Sequence, residues 1–409
     1  MMQLTHKIKL KPTKEQTVYF QQAAGTSRFV WNWALGQWKA QYAAGKKPNA
    51  MALKKQFNAI KYQEFPWLKE MHRDSHAQPF AYLAKAWQRF FREIKANKQA
   101  HEPRFKKKNK SRDSFYIAND KFYLEGQSIH LPKLGLVEMT ENLRFAGKII
   151  GATVSRTADR WFVAIQVEVP DRQAKKNRTS HKITGVDFGI KAAATLSSGE
   201  SMSSPAPLKS ALRRLKMRGR SISRKIEAAK TNNKLISNNR KKSILKLSKL
   251  HARIANLRAD FTHKLSTKLC RENQAVVIED LYVAGMLKNE KISRALSDVG
   301  FGNIRRQLEY KALRYDTKLM IADRWYPSSK LCSYCDWKND TLTLQDRSWV
   351  CKNCHAVHDR DVNAAINLKR LATETALPVA SHSAMNDTEI GMFSISGGKV
   401  TPVSYECGQ

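Results

Sequence analysis

Hydrophobic and polar residues alternate at the start of the chain, and the spacing then becomes helical. Leu4, His6, Ile8 and Leu10 alternate with Thr and Lys over 4–11, which predicts a short basic strand. Thr13-Lys14-Glu15-Gln16 has the form of a capping box and predicts a helix start. From 13 to 102 the pattern is helical, with breaks at 45–48 and 65–66, so we expect three or four helices. We expect their many aromatic side chains to form a helix-bundle core rather than a base-stacking surface.

The period changes to two after a basic run at 103–110. Strands are predicted over 121–139, 148–156 and 161–169, and residues 157–160 join the last two as a hairpin. A helical bundle inserted into a mostly β domain explains why the strand at 4–11 precedes the helices. A polar, basic linker follows at 175–182.

The last large region alternates apolar strands with helices. Strands are predicted at 183–187, 192–196, 274–281 and 317–323, with a helix near 298–315. Residues 205–273 form one long helical stretch, in which apolar residues recur every three or four positions from Ile244 to Leu269. The tail from 373 is rich in Ser, Thr and Gly without periodicity, and we expect it to be disordered.

Charge indicates the kind of partner. The 409 residues are enough for two to three domains, and their 73 Lys and Arg against 35 Asp and Glu give a net charge of +38. Residues 209–258 alone carry 17 basic residues and one acid. A small-metabolite enzyme gains nothing from such self-repulsion, whereas a polyanion releases counterions when it binds. Since no run of 18 apolar residues and no signal-peptide core occurs, we expect a cytoplasmic nucleic-acid-binding protein rather than a membrane protein.

Four of the six cysteines have the spacing of a metal site. Cys332 and Cys335 form one Cys-x₂-Cys pair, and Cys351 and Cys354 form a second. The fifteen residues between the pairs lie within the range of four-thiolate zinc sites. Because all four ligand positions are filled by protein, the predicted zinc is structural.

Acids at three separated places interrupt segments that should be buried or begin a helix. Asp187 lies within an apolar strand, Glu279 and Asp280 end another, and a helix is predicted to begin after the pair Asp359 and Asp361. A carboxylate in such a place is costly unless a cation meets it, and Mg²⁺ prefers oxygen ligands. Each acid alone is equally well explained as a cap or a salt bridge. Strand alternation does not decide between Glu279 and Asp280, nor does the pattern decide between Asp359 and Asp361.

The order of these motifs over residues 1–372 resembles the TnpB family, transposon-encoded relatives of type V CRISPR effectors. The matching motifs are Arg-Phe-Val-Trp-Asn (28–32), Pro-Arg-Phe-Lys (103–106), Gly-Val-Asp-Phe-Gly-Ile-Lys (185–191), Ile-Glu-Asp-Leu (278–281), Gln-Leu-Glu-Tyr-Lys (307–311), Tyr-Pro-Ser-Ser-Lys (326–330), the four-cysteine motif and Asp-Arg-Asp-Val-Asn-Ala-Ala (359–365). The sequence departs from the family at Asp336 and His355, where glycine is frequent.

The resemblance implies a multidomain α+β fold. A split β-barrel wedge domain (1–12 and 103–180) would hold an inserted helical recognition lobe (13–102). An RNase H-like, RuvC-type α/β nuclease domain (181–328 and 358–372) would hold the zinc knuckle (329–357), and the tail (373–409) lies outside the likeness.

The resemblance also implies an activity, namely Mg²⁺-dependent, RNA-guided cleavage of DNA. The partners would be a guide RNA from the transposon right end and double-stranded target DNA that carries a short adjacent motif. We expect one structural Zn²⁺, two catalytic Mg²⁺, a monomer in the RNA complex, and a prokaryotic, nucleoid-associated location. Asp187, Glu279 and Asp361 would be the catalytic, Mg²⁺-binding acids.

Further residues are expected to contact nucleic acid. A chain of this size grips backbones and leaves the reading of sequence to the guide. Gln78 and Asn119 are candidates for reading the adjacent motif, because amides pair with adenine. The candidates for backbone contact are Arg104, Lys106, Lys107, Lys108, Arg213, Arg214, Arg253 and Arg305.

Two other functions compete with guided cleavage. An RNA-guided DNA-binding repressor would have lost the acids, but all three positions are filled here, which favours cleavage. A transposase acting without RNA would bind specific DNA stably as RNA-free protein.

Overall fold

The computed structural model describes residues 1–170, 182–231, 237–343, 345–374, 392–396 and 399–403. The chain divides into two compact units, Met1–Asp171 and Arg172–Gln409. The predicted linker at 175–182 lies almost wholly outside the described residues.

The first unit contains a strand, a helical segment and then six more strands. β1 spans Met2–Lys9, and the helices are α1 (Lys14–Ala43), α2 (Ala50–Glu64) and α3 (Arg73–Lys95), with a 3₁₀ turn at Pro66–Glu70. The later strands are β2 (Ser114–Ala118), β3 (Tyr123–Glu125), β4 (Ser128–Leu131), β5 (Gly135–Glu138), β6 (Lys148–Thr157) and β7 (Arg160–Val169).

Strand pairing accounts for the position of the first strand. β1 pairs antiparallel with β7 from Met2↔Val169 to Lys9↔Phe162, in a sheet of order β1-β7-β6-β2. Along the chain the helices therefore lie between β1 and β2, which are the two edge strands of this sheet. β3, β4 and β5 form a separate three-stranded sheet, and a bridge between Leu10 and Met139 connects the two regions. The sequence pattern did not predict β2.

The helical segment has the aromatic core expected from its sequence. Trp38 and Trp87 stack with their ring centroids 5.3 Å apart, and Trp33 packs on Phe57 at 4.9 Å. The predicted capping box is present, because the Thr13 side chain accepts from the backbone N–H of Gln16 and the Gln16 side chain accepts from that of Thr13.

The second unit is built on a mixed sheet with helices on both faces. Its strands are β8 (Lys182–Asp187), β9 (Ala194–Leu196), β10 (Ser201–Met202), β11 (Asn273–Glu279), β12 (Lys318–Ala322), β13 (Ser348–Val350), β14 (Val357–Asp359), β15 (Met392–Ser396) and β16 (Lys399–Val403). Its helices are α4 (Pro207–Thr231), α5 (Asn238–Glu272), α6 (Val283–Met286), α7 (Ser293–Val299), α8 (Phe301–Tyr315) and α9 (Arg360–Glu374).

The central strand β11 is apolar on both faces because it is covered twice. The sheet order is β10-β9-β8-β11-β12-β15-β16, with β8, β11 and β12 parallel. Val276 and Ile278 pack with residues of α5 and α8, whereas Val277 packs with residues of α9. Alternate side chains of one strand therefore enter two different cores.

Gly185 allows α9 to lie directly on β8. A Cβ atom at this position would stand 2.0 Å from the carbonyl oxygen of Ala365 and 2.5 Å from the backbone nitrogen of Lys369. Only glycine permits this approach, which brings the middle of α9 onto β8.

The long helical stretch predicted over 205–273 is two helices, α4 and α5, and residues 232–236 between them lie outside the described range. Ala211 of α4 packs with Leu250 and Ile254 of α5. The predicted apolar ladder is only partly buried, since Ile244 and Leu257 are exposed.

Part of the tail differs from the prediction of disorder. β15 pairs parallel with β12 and antiparallel with β16. The physical reason is the edge of β12, whose unpaired N–H and C=O groups are satisfied by an added strand. The other residues after 374 lie outside the described range.

In the described helices, no segment has both the length and the apolar content needed to cross a bilayer.

Candidate functional site

Two of the predicted acids stand at neighbouring strand ends. Asp187 ends β8 and Glu279 ends β11, and these strands are parallel with Val186 opposite Ile278. Their carboxyl groups therefore leave the same edge of the sheet. Asp361 lies in the first turn of α9, which packs on β8 through Gly185. The fold thus brings the three predicted acids together.

The electrostatics of Asp187 show that the acids interact. The pKa of this carboxyl is raised from 3.8 to about 8, first by desolvation and then by repulsion from Glu279 and Asp361, although the Arg360 guanidinium partly offsets these effects. The pKa of Glu279 is also raised, mainly by desolvation. Negative charge is therefore concentrated in one half-buried place, which favours a bound cation.

The carboxylates of Glu279 and Asp280 face different partners. Glu279 accepts a hydrogen bond of 2.6 Å from the hydroxyl of Ser328. Asp280 accepts from the guanidinium groups of Arg305 and Arg324. Burial alone would raise the pKa of Asp280, but these two hydrogen-bonded cations outweigh it and lower the pKa. Asp280 is therefore already neutralised by protein.

Asp359 and Asp361 also differ in their partners. Asp359 caps α9, because its Oδ1 accepts from the backbone N–H groups of Asp361 and Val362 at 3.0 and 2.9 Å. The carboxylate of Asp361 instead lies 2.9 Å from the Arg360 guanidinium and 3.6 Å from that of Arg347. Asp359 is therefore the N-cap of α9, and the sequence pattern did not distinguish this structural role from the role of Asp361.

Sequence reasoning missed the residues that hold Glu279. Ser328 is buried, and its backbone carbonyl accepts from the side-chain amide of Asn367 at 2.7 Å. Asn363 donates in the same way to Leu331 at 2.6 Å. Both asparagines lie one turn apart on α9, so the helix that carries Asp361 also fixes the loop that contacts Glu279. The sequence feature that could have indicated this contact is the pair of asparagines four residues apart, both of which are buried.

The four predicted zinc ligands meet at one point. The sulfur atoms of Cys332, Cys335, Cys351 and Cys354 all lie within 4.8 Å of one another. Sulfurs bound to one zinc at ~2.3 Å stand about 3.8 Å apart. The separations of 3.6 Å between Cys332 and Cys354, and of 3.5 Å between Cys335 and Cys351, fit that geometry. The sixth cysteine, Cys407, lies outside the described residues.

The two departures from the family occupy strained positions of the knuckle. Asp336 has φ 59° and His355 has φ 57°, in the left-handed region that favours glycine. Each N–H donates back to the first cysteine of its pair, at 3.0 Å to Cys332 and 3.0 Å to Cys351. The Arg370 guanidinium additionally holds the Asp336 carboxylate at 2.6 and 2.9 Å.

Within the part of the chain that the structure describes, the four cysteines alone bring three or more ligand atoms within 4.8 Å of one another. The three acids are therefore more widely spaced than the thiolates.

The candidate nucleic-acid contacts have varied surroundings. Arg305 is ion-paired with Asp280 and Glu309, so these two carboxylates balance its charge. Lys106 lies over the Trp31 ring at 4.1 Å, and burial lowers its pKa. Gln78 is half-buried. The remaining candidates are exposed: Arg104, Lys107, Lys108, Asn119, Arg213, Arg214 and Arg253.

Comparison with solved structures identifies the fold. The Cas12f1 chain in the "Cryo-EM structure of the Cas12f1-sgRNA-target DNA complex" matches with a TM-score of 0.51 and 13% identity, covering 87% of this chain and 83% of that one. The chain is therefore a mixed α/β multidomain protein with a Cas12f1-like fold.

Sequence comparisons then identify the family. Family models match at 1–47 (helix-turn-helix domain of OrfB of IS605), 164–290 (OrfB of IS605, "Probable transposase") and 301–368 ("Cas12f1-like, TNB domain"). A Streptomyces pristinaespiralis protein named "Putative RNA-guided DNA endonuclease" is 36% identical over 88% of this chain and 87% of its own. The similarly named InsQ of Escherichia coli K12 is 30% identical over 88% and 90%. The chain belongs to the TnpB family.

Proposed function

We propose that this chain is an RNA-guided DNA endonuclease. Asp187, Glu279 and Asp361 would form the active site that hydrolyses the target DNA. The convergence of these acids at one edge of the sheet carries the proposal. Membership of a family whose relatives bear that name supports it, as does a fold shared with a protein solved with guide RNA and target DNA.

The topology of the second unit supports an RNase H-like, RuvC-type domain. An antiparallel set, β10-β9-β8, continues into the parallel strands β11 and β12, and the acids stand at the ends of β8 and β11. In the first unit, the inserted helices correspond to the recognition lobe and the strands to the wedge domain.

The acids fit Mg²⁺ as the catalytic ion. Three carboxylates supply hard oxygen ligands, and the raised pKa of Asp187 reflects desolvation first and then a repulsion from Glu279 and Asp361 that a cation would relieve. Two Mg²⁺ ions, when bound, activate a water and stabilise the leaving oxygen of a phosphodiester. Ser328 orients Glu279 through its 2.6 Å hydrogen bond.

The four-cysteine knuckle would hold one structural Zn²⁺. Its protein ligands fill all four positions of a tetrahedron, so substrate has no vacant position on the metal.

Exposed basic residues would grip the nucleic-acid backbones. Arg213 and Arg214 on α4, and Arg253 on α5, belong to the two strongly basic helices, which suit a guide RNA from the transposon right end. Gln78 and Asn119 remain our candidates for reading the target-adjacent motif. We expect a monomer in the RNA complex, in the prokaryotic cytoplasm.

The test is cleavage by protein purified with its own RNA. RNA that co-purifies with the chain is sequenced, and the complex is then challenged with a plasmid library of randomised flanks and Mg²⁺. Asp187→Ala should abolish cutting and leave RNA and target binding within a few-fold. Asp260→Ala changes an exposed acid paired with Lys264, and it should cut like the wild type.

Three outcomes would contradict the proposal. Undiminished cutting by Asp187→Ala would remove this acid from the site. Guided binding by the wild type without cutting would indicate a repressor. Cutting at a fixed sequence by RNA-free protein would indicate a transposase.

A further inference from the structure

Two large aromatic side chains lie exposed beside the acidic site. Trp325 is 84% exposed and Tyr282 is 56% exposed. Tyr282 follows Glu279 by three residues, and Trp325 follows Ala322 by three. Glu279 and Ala322 are register partners at the ends of the parallel strands β11 and β12. Both aromatic residues therefore belong to loops that leave the sheet at the edge where Glu279 stands.

Arg324 lies beside the Tyr282 ring and immediately precedes Trp325 in the chain. Its guanidinium carbon lies 5.3 Å from the centre of the Tyr282 ring. Its Nε donates to the backbone oxygen of Asp280 at 3.3 Å, and its Nη2 donates to the carboxylate of the same residue. Arg305 donates to the other carboxylate oxygen, so Asp280 is itself fixed from two sides. A planar cation and an aromatic ring are thus preorganised at the surface.

A cleft of 230 Å³ extends from Tyr282 and Arg324 to Glu279 of the proposed catalytic site. Its lining residues include Glu279, Asp280, Tyr282, Asp323, Arg324 and Tyr326. The cleft is smaller than a typical pocket for a whole cofactor, which takes ~300–1,000 Å³. It suits one flat group that enters beside a backbone. Because Glu279 belongs to its wall, whatever enters would lie next to the acids.

We propose that Tyr282, Arg324 and Trp325 form a stacking platform for unpaired bases of the DNA strand being cut. This inference rests on the proposed function. Aromatic faces and guanidinium planes stack on bases of any sequence, which suits an enzyme whose sequence reading is done by its guide. A base becomes available to such a platform only after it has left the duplex. The platform would therefore select single-stranded DNA at the scissile phosphate.

The test uses the guide-loaded complex and a target with one 2-aminopurine at successive positions around the cut. Stacking should quench 2-aminopurine fluorescence on wild-type protein, and Trp325→Ala or Tyr282→Ala should restore it. The KM for single-stranded DNA should rise roughly 5- to 150-fold, the equivalent of ~1–3 kcal/mol per stacked base, with kcat within about twofold. Trp325→Phe should keep most of the quenching.

Tyr310→Ala is the matched control, because Tyr310 is 41% exposed on α8 of the same unit and does not line the cleft. Its quenching and KM should equal those of the wild type, and thermal melting should confirm that all variants fold. Unchanged quenching and KM in both Trp325→Ala and Tyr282→Ala would overturn the platform while leaving the nuclease proposal standing. Quenching by a wild-type complex that never cuts would support the platform and contradict the nuclease proposal.

Discussion

Replacing Asp187 by asparagine should stabilise the metal-free protein at neutral pH while abolishing cleavage. The folded chain raises the pKa of this carboxyl from 3.8 to about 8, through desolvation and the neighbouring acids. Between those two values the folded state keeps a proton that the unfolded state releases. The free energy of unfolding of the wild type therefore falls as pH rises from 3.8 to 8. The asparagine side chain of the variant would not titrate, so the free energy of unfolding of the variant would not fall in this way.

The magnitude follows from the width of that window. Each pH unit within this window lowers the free energy of unfolding by about 1.36 kcal/mol. Between pH 5 and pH 8 the free energy of unfolding of the wild type should therefore fall by about 4 kcal/mol, and that of the variant should not. About 1 kcal/mol shifts the Tm of a domain of 150–250 residues by roughly 2–4 °C. The variant should therefore gain about 8–16 °C in Tm relative to wild type as pH rises from 5 to 8.

Melting curves of both proteins at pH 5, 6, 7 and 8, without divalent ions, test this expectation. Mg²⁺ at pH 8 should raise the Tm of the wild type more than that of Asp187→Asn, because only the intact site binds it fully. Asp280→Asn is the control of opposite sign. The pKa of Asp280 is lowered, so its substitution should destabilise the protein at neutral pH and matter less as pH falls. A Tm difference between Asp187→Asn and wild type that is equal at pH 5 and pH 8 would refute the reasoning.

Other parts of the second unit give further expectations. Ser328→Ala removes the hydrogen bond to Glu279 and should slow single-turnover cleavage about tenfold or more without changing target binding. Gly185→Ala forces a Cβ within 2.0 Å of a backbone oxygen and should cost at least ~3 kcal/mol in denaturant unfolding. Cys332→Ser should abolish zinc retention, measured by mass spectrometry of the metal, and lower the Tm. His355→Gly should raise the Tm by relieving about 1 kcal/mol of left-handed strain.

Two substitutions serve as matched controls for these variants. Gly219→Ala is also a glycine substitution in the second unit, but no atom lies within 4 Å of its Cβ position on α4, so it should stabilise the helix by ~0.5–1 kcal/mol. Cys270→Ala removes a buried thiol outside the knuckle and should leave the zinc content unchanged. Loss of zinc from Cys270→Ala, or normal zinc in Cys332→Ser, would contradict the assignment of the metal ligands.

Residue periodicity predicted most of the helices and strands because their burial is one-sided or complete. β11 reads as a continuous apolar run since α8 and α5 cover one face and α9 covers the other. The pattern failed at Ser114–Ala118, where five residues after a basic run give too short an alternation. It predicted basic helices over 205–273 without the position of the break between them, because both helices have the same basic composition.

Local sequence could not assign the roles within the acidic pairs. Asp359 and Asp361 are two residues apart in the same motif, and only the backbone hydrogen bonds at the start of α9 show that Asp359 is the cap. Asp280 likewise depends on Arg305 and Arg324, which lie 25 and 44 residues away. Arg305 remains a predicted nucleic-acid contact, and its ion pairs with Asp280 and Glu309 were likewise not visible in the local sequence. Long-range partners surround Asp280 and Arg305, whereas Asp359 is the cap because of backbone groups two and three residues further along the chain.

The pairing of β1 with β7 constrains how the chain can fold during synthesis. The first strand is synthesised before its partner, and 150 residues separate Lys9 from Arg160, the start of that partner. At ~5–20 residues per second, translation takes about 8–30 s to produce that partner. Closing a loop of this length costs about 4 kcal/mol of chain entropy, which prior folding of α1, α2 and α3 would reduce by shortening the loop. Folding of the helical insertion therefore shortens the loop between β1 and β7 and brings these two strands closer together.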